Sequence, residues 1–497
     1  GAMIHTPVRW ATLHSRYDAL LAANLDPDVP EDRWVMLTRL RAWAVFQGYS
    51  QEIRHDCLES FLDDAAGRAV WRFRMPTGQG QSVRLQATLQ LLEGRNTVRI
   101  TFEREAARAV PDGLPDNLPI RLIVRPDVED RNFHTTTKAY LGAEGYFATS
   151  VAPRRDGFEF APHPQRRLRM TASRGVYVHE PEWHYMVHRR LEAERGVDAA
   201  SDLFSPGYLR GDVSGGDRQV ITAEVTTDRG GAGGKALPGP RTTGRRGAPP
   251  IHRETTAGLE KAMRQFIVKR GDFATVIAGY PWFLDWGRDT LIFCRGMIAA
   301  GMTEAAAAII GQFAAFEEEG TLPNMIRGND ASNRDTSDAP LWLFTVCRDL
   351  IRAGHTDILD MRCGRRRLRE VLVDMAAALR RGTPNGIAMD PASGLIFSPA
   401  HFTWMDTNHP AGSPREGYPI EIQALWHAAL KLLVEIGASE KEAAWGELAE
   451  RVRASISRLY FDARQGCLAD CRHGSRGQAA EACPADDALR PNQLFAV

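Results

Sequence analysis

An excess of charge of one sign is what this 497-residue chain lacks: Lys and Arg number 62, and Asp and Glu number 62. No bulk field therefore draws it to nucleic acid or to an anionic membrane surface. Cysteine is scarce, and the seven present (57, 294, 347, 363, 467, 471 and 483) form no C-x-x-C pair and no zinc-ligand spacing. An odd, scattered set argues against a disulfide framework and for a reducing cytoplasm. Long apolar runs are missing too. The richest stretch, 297–316, is broken by Glu304 and Gln312 and reads as a helix of a globular core, not a membrane span. No basic start followed by an apolar run opens the chain, so no signal peptide is expected, and Gly1-Ala2-Met3 reads as an expression scar. Walker, GxGxxG, HExxH, EF-hand and GxSxG patterns are all absent, which removes the usual signatures of five common chemistries. His134 and the pair His184 and His188, read here on a helical face, match no metal template.

What is present falls into two regimes. The chain is longer than one core supports, about 250–300 residues, so two or three domains are expected. In the first part Val98, Ile100 and Phe102 alternate with Arg99, Thr101 and Glu103, the pattern of a half-buried strand. Similar runs at 34–46, 69–75, 82–91, 120–124 and 218–225, separated by Asp/Gly/Pro turns, predict an N-terminal β-sandwich over 4–225. Residues 226–251 are rich in Gly, Pro and Arg and offer little to bury, so they read as a flexible linker in which Arg245 and Arg246 are solvated. From 257 the period becomes helical, with Leu259, Met263, Phe266 and Ile267 on one face. Further helices are predicted near 290–301, 303–317, 337–354, 366–381, 418–436 and 439–460, with an eighth starting near Pro491. Helices paired around a concave centre would make an α/α barrel over 252–497, with the long loops at one end as carriers of a site.

Three of those loops concentrate polar and aromatic residues. The first, Tyr280-Pro-Trp-Phe-Leu-Asp285-Trp286-Gly-Arg288-Asp289, sets carboxylates and a guanidinium beside flat rings. Such groups suit a sugar: Asp and Arg bond vicinal hydroxyls, and Trp covers the apolar C–H face. The plain alternative is a buried Arg–Asp pair packed on Trp at a helix start. The second loop, Asn329-Asp-Ala-Ser-Asn-Arg-Asp335-Thr-Ser337-Asp338-Ala-Pro-Leu-Trp342, holds more carboxylates than a helix cap by Asp335 or Ser337 requires. The third runs Phe402-Thr-Trp404-Met-Asp406 and then Pro414-Arg415-Glu-Gly-Tyr-Pro-Ile-Glu421. An Asp beside Trp, near an Arg and a second carboxylate, is placed to carry the proton that glycoside hydrolysis delivers to the leaving oxygen. A salt-bridged turn between Asp406 and Arg415 is the competing reading. Trp404, Arg415 and Glu421 join the candidate substrate-binding residues.

These segments resemble, in order, the bacterial and archaeal glycogen-debranching amylo-α-1,6-glucosidases. The resemblance extends to Leu322-Pro-Asn, Ser337-Asp-Ala-Pro-Leu-Trp, Ile420-Glu-Ile-Gln-Ala-Leu-Trp and Arg490-Pro-Asn-Gln-Leu-Phe-Ala-Val. In the first part it includes Ser15-Arg-Tyr-Asp, Phe133-His-Thr-Thr, Glu194-Arg-Gly-Val-Asp and Asp202-Leu-Phe-Ser-Pro-Gly-Tyr. It implies a β-sandwich followed by an (α/α)6 barrel with the active site at one mouth. It implies hydrolysis of α-1,6-linked glucosyl stubs on branched α-glucan such as glycogen or limit dextrin, by inversion, with no metal and no cofactor. Carried over by position, Trp286, Arg288 and Asp289 grip the terminal glucose, Asp338 is a further sugar-binding carboxylate, and Asp406 is the general acid. No glucanotransferase segment is seen, so no transfer activity is expected. Two departures stand out. The family's Gly-rich opening is absent, and the chain ends at Val497, before the segment in which relatives carry the general base. The barrel is therefore expected to be incomplete at its C-terminus, through truncation, splitting or an unfinished sequence, with an apolar seam exposed.

Two other functions share these residues: a glucoamylase-like exo-glucosidase on the same barrel, and a glucan-binding protein without turnover because the base segment is missing. Nothing in the sequence specifies an oligomeric state. Because Leu237 is the one large apolar side chain in 228–249, deleting that stretch is expected to leave thermal stability and glucan binding unchanged; a large drop in melting temperature would show that it packs.

Overall fold

The computed structural model describes residues 2–26, 29–30, 32–64, 67–227, 250–270, 273–280, 283–328, 330–407, 412–438, 442–486 and 488–497. The linker expected at 226–251 lies almost wholly outside the described residues. Two compact units divide the chain, one built from 1–26 and 32–238 and the other from 27–31 and 239–497.

The first unit is antiparallel β. Its strands are Ala2–His5 (β1), Ala19–Asn24 (β2), Arg33–Phe46 (β3), Tyr49–Glu52 (β4), Leu58–Asp63 (β5), Arg68–Pro76 (β6), Ser82–Leu91 (β7) and Thr97–Arg104 (β8). They continue as Ile120–Asn132 (β9), Val151–Arg154 (β10), Gly157–His163 (β11), Arg166–Ala172 (β12), Val176–His188 (β13), Ala200–Val213 (β14) and Arg218–Thr226 (β15). One sheet has the order β1-β2-β3-β9-β14-β13, with β4 beside β3; the other runs β10-β11-β12-β15-β8-β7-β6-β5. Alternation explains the layering. Trp71, Phe73 and Met75 of β6 and Val98, Ile100 and Phe102 of β8 are buried, and they share one core with Leu37, Val124 and Phe204 of the other sheet. The unit is sandwich-like, as the pattern predicts. Two short helices, Ala143–Tyr146 (α1) and Arg190–Glu194 (α2), interrupt it.

The strand predicted at 120–124 runs on to Asn132, through a charged segment outside the predicted runs. Those charges are buried against one another. Asp127 accepts from Arg41 at 2.8 Å, and Glu129 accepts from Thr38 at 2.6 Å, Arg131 at 2.8 Å and Thr137 at 2.9 Å. His184 and His188 lie on β13, not on a helix, because the local alternation belongs to the β13–β14 ladder.

The second unit is helical. Pro250–Phe266 (α3), Gly287–Ala299 (α4), Thr303–Ala315 (α5), Asp338–Arg352 (α6), Leu368–Arg381 (α7), Ile420–Glu435 (α8) and Glu442–Tyr460 (α9) match the seven predicted helices within a few residues, except that α3 starts seven residues early. The expected eighth is a 3-10 turn, Pro491–Ala496. In α4 the spacing Thr290, Leu291, Cys294 and Met297 makes one buried face, whereas α8 is buried nearly all round. The helix α6 packs on both α4 and α8, and α9 packs on α8. Two-residue strand pairs between helices were not foreseen; Asp285–Trp286 with Met325–Ile326 is one. Phe461, Leu489, Leu494 and Val497 line an exposed apolar groove of about 600 Å3.

Burial alone would raise the Glu129 carboxyl, but Arg131, Arg189 and the hydrogen bonds it accepts hold it down to about 2. Its stabilising contribution is therefore complete above the unfolded value near pH ~4.3 and is lost as pH falls from there toward 2. Glu129→Gln is expected to lower stability by about 3–5 kcal/mol, since Arg131 and Arg189 lose their shared countercharge. Urea unfolding of the variant from pH 7 down to pH 3 checks this, with the gap to wild type narrowing at the acid end.

Candidate functional site

The start of α4 is positioned by backbone. The Gly287 N–H donates to the Asn324 carbonyl at 2.8 Å, which fastens the first loop to the Leu322-Pro-Asn turn. A Cβ at position 287 would lie 2.4 Å from the Pro323 carbonyl oxygen, so only glycine admits this approach. Arg288 and Asp289 then fall in the first helical turn.

The Arg288 guanidinium draws the three loops together. One terminal nitrogen donates to both oxygens of Asp338, at 3.3 and 3.1 Å, and the other donates to Asp406 at 3.0 Å. Its Nε lies 4.0 Å from Asp289 Oδ2. Asp338 is buried, Asp406 half-buried, and Asp289 nearly half exposed. Burial works against the Arg288 charge, yet the carboxylates of Asp338, Asp406 and Asp289 outweigh it and raise the group. Partial burial lifts the Asp289 carboxyl above its usual range, with Asp338 and Asp406 adding to the lift and Arg288 opposing it. Three carboxylates around one guanidinium leave a local excess of negative charge. Such a surface can accept hydrogen bonds from hydroxyls and favours positive charge beside it.

Neighbouring contacts hold the carboxylates in place. Thr336 donates its hydroxyl to Asp338 Oδ1 at 2.8 Å and accepts the Ala339 N–H at 3.3 Å. Thr336 therefore makes the capping bond expected of Asp335 or Ser337. Ser337 instead ties the second loop to the third, through the Ser398 hydroxyl at 2.8 Å and the Phe402 carbonyl at 2.7 Å. Trp286 is half-buried beside this cluster in sequence, and the Trp404 ring is 48% exposed.

Other expected residues are placed elsewhere. Asp285 is fully buried and paired with Arg270 at 2.6 and 2.8 Å, so the plain ion-pair reading holds for Asp285 but not for Asp289. The Asp406–Arg415 bridge does not form. Arg415 is completely buried and forks onto Glu421, whose two oxygens sit at 2.5 and 2.6 Å, while its Nε donates to Asp470 at 2.8 Å. Arg415 and Glu421 thus spend their polar groups on each other beneath the third loop. Asp470 and Asn492, which bond each other at 2.7 Å, are part of this support and carry no signal in local spacing.

Two family profiles match the chain. The one described as glycogen debranching enzyme N terminal matches residues 5–220, and the one described as amylo-alpha-1,6-glucosidase matches 261–497, together most of the sequence. Among solved structures, the GH78 family rhamnosidase of Bacillus sp. GL1 is similar at 14% identity and a TM-score of 0.39, covering 70% of this chain and 36% of that one. The chain thus spans about a third of that relative, and a likeness this weak carries no argument. No curated protein matches.

The tightest constraint on the site is the Gly287 approach. Gly287→Ala is expected to cost about 1–3 kcal/mol by overpacking against the Pro323 carbonyl and to shift Arg288 off its carboxylates. Thermal unfolding together with titration by a glucose-shaped iminosugar checks both parts; unchanged values in both would show that the loop yields.

Proposed function

The chain belongs to the glycogen debranching enzyme family, and from that premise we propose that it is a cytoplasmic glycoside hydrolase removing α-1,6-linked glucosyl stubs from branched α-glucan with inversion. Residues 4–225 and 252–497 are its domains, joined by 226–251, and the helices of the second belong to an (α/α)6 barrel, incomplete at its C-terminal end, with the site at its mouth. The single observation that supports this most is the Arg288 cluster, in which one guanidinium meets Asp338, 50 positions on, and Asp406, 118 positions on.

In this reading Trp286, Arg288, Asp289 and Asp338 hold the terminal glucose, and Asp406 protonates the glycosidic oxygen. An ion-paired carboxylate cannot at the same moment hand over a proton, so the entering sugar parts Asp406 from Arg288, and Arg288 turns to sugar hydroxyls. Arg415 and Glu421 act from below, as the floor under the third loop. Inversion needs a second carboxyl ~6.5–9.5 Å away with a water between, and none is assigned here. One observation favours a second assignment of the acid. Asp289 lies 4.0 Å from the same guanidinium, and partial burial lifts its carboxyl in the direction that favours holding a proton.

Asp406→Asn is expected to cut glucose release from limit dextrin by about 10²–10⁴-fold while leaving glucan affinity near normal. If the variant keeps more than about a tenth of the rate, with Asp289→Asn showing the collapse instead, Asp289 is the acid. Faster release from linear maltooligosaccharide than from limit dextrin would favour the glucoamylase-like alternative. Binding with no release from either would favour a protein that holds glucan without turnover.

A further inference from the structure

The segment Arg490-Pro-Asn-Gln has no role in the reading above, yet Asn492 is 1% exposed and meets the third loop. Its Oδ1 accepts the Trp404 indole N–H at 2.8 Å, and its Nδ2 donates to Asp470 Oδ1 at 2.7 Å and lies 3.7 Å from Met405 Sδ. The other Asp470 oxygen accepts from Arg490 at 2.7 Å and from Arg415 at 2.8 Å, and Arg415 also donates to the Thr403 hydroxyl at 3.2 Å. Thr403, Trp404 and Met405, the three residues before Asp406, are therefore each held from below. An indole N–H only donates and a carboxylate only accepts, so the group bridging them must accept on one side and donate on the other. A side-chain amide does this. A carboxylate at 492 would face Asp470, and an aliphatic side chain would take the acceptor from the Trp404 N–H and one donor from Asp470, which keeps Arg415 and Arg490.

This clamp grips only the N–H edge of Trp404, whose ring stays open to solvent. A general acid faces the leaving oxygen, so a flat apolar face next to Asp406 and outside the Arg288 cluster lies on the leaving-group side. Resting on the hydrolase reading above, we propose that Asn492 is a positioning residue that sets Trp404 as the wall against which the glucan unit beyond the cleaved bond lies. Selectivity for a branch point over free glucose then depends on Asn492 without Asn492 touching the sugar.

The test is made in the full chain carrying Asp406→Asn, so that nothing is turned over. Two probes are titrated by calorimetry: 1-deoxynojirimycin, which fills only the terminal-glucose position, and a maltooligosaccharide bearing one α-1,6-glucosyl branch. Asn492→Ala and Trp404→Ala are each expected to weaken the branched ligand about tenfold, and the double variant to weaken it no further. The iminosugar should hold within about twofold throughout. Trp404→Phe keeps an aromatic face but loses the N–H together with part of the indole's area; it is expected to show a smaller loss than Trp404→Ala, several-fold, again confined to the branched ligand. Losses that add in the double variant, an iminosugar loss equal to the branched-ligand loss, or unchanged branched-ligand affinity would each overturn the proposal. If the Asp406→Asn chain with Asn492 and Trp404 intact binds neither probe, the hydrolase reading falls and takes this proposal with it.

Discussion

Like charges gathered in a small space drive apart unless a counter-ion holds them, and Arg288 supplies that counter-ion for Asp289, Asp338 and Asp406. The three carboxylates come from separate loops, so the geometry of the candidate site rests on one guanidinium being aimed correctly. That aim depends on the first turn of α4, which depends on Gly287 lying against the Pro323 and Asn324 backbone. A planar fork with five donors suits the task where a lysine would not, because two carboxylates must be met from different directions at once.

A second guanidinium does similar work out of reach of solvent. Arg415 binds Glu421 at the head of α8, Asp470 and Thr403, and so joins the third loop to the helical core. Removing one partner from such a buried set strands the others. The division of labour follows from exposure. Arg288 keeps a path to water and can exchange its partners for hydroxyls, whereas Arg415 has none and serves as fixed support.

The β unit obeys the same rule. Asp127 and Glu129 lie fully buried on the face of β9 turned away from the apolar core, and arginines of β3 and β9, with Arg189, satisfy them. Side-chain pairing lets β9 continue, through shifts of register against β3 and β14, across a run of charged residues.

Much of this could be read from residue order. Alternation in β8 gave a strand, the 3–4 spacing of Leu259, Met263 and Phe266 gave the helix α3, and the motifs gave the family and singled out Arg288, Asp289, Asp338 and Asp406. These are local or short-range signals, set by backbone periodicity and by which side chains tolerate water. What only tertiary structure decided was which charges meet. Asp406 and Arg415 share one loop, yet Arg415 pairs with Glu421 and Asp470, and Asp406 crosses to Arg288. Asn492 reaches Trp404 across 88 positions. Ionic and amide groups carry no periodic signal, and their partners are chosen by where the packed backbone brings them and by the cost of leaving any of them dry and alone.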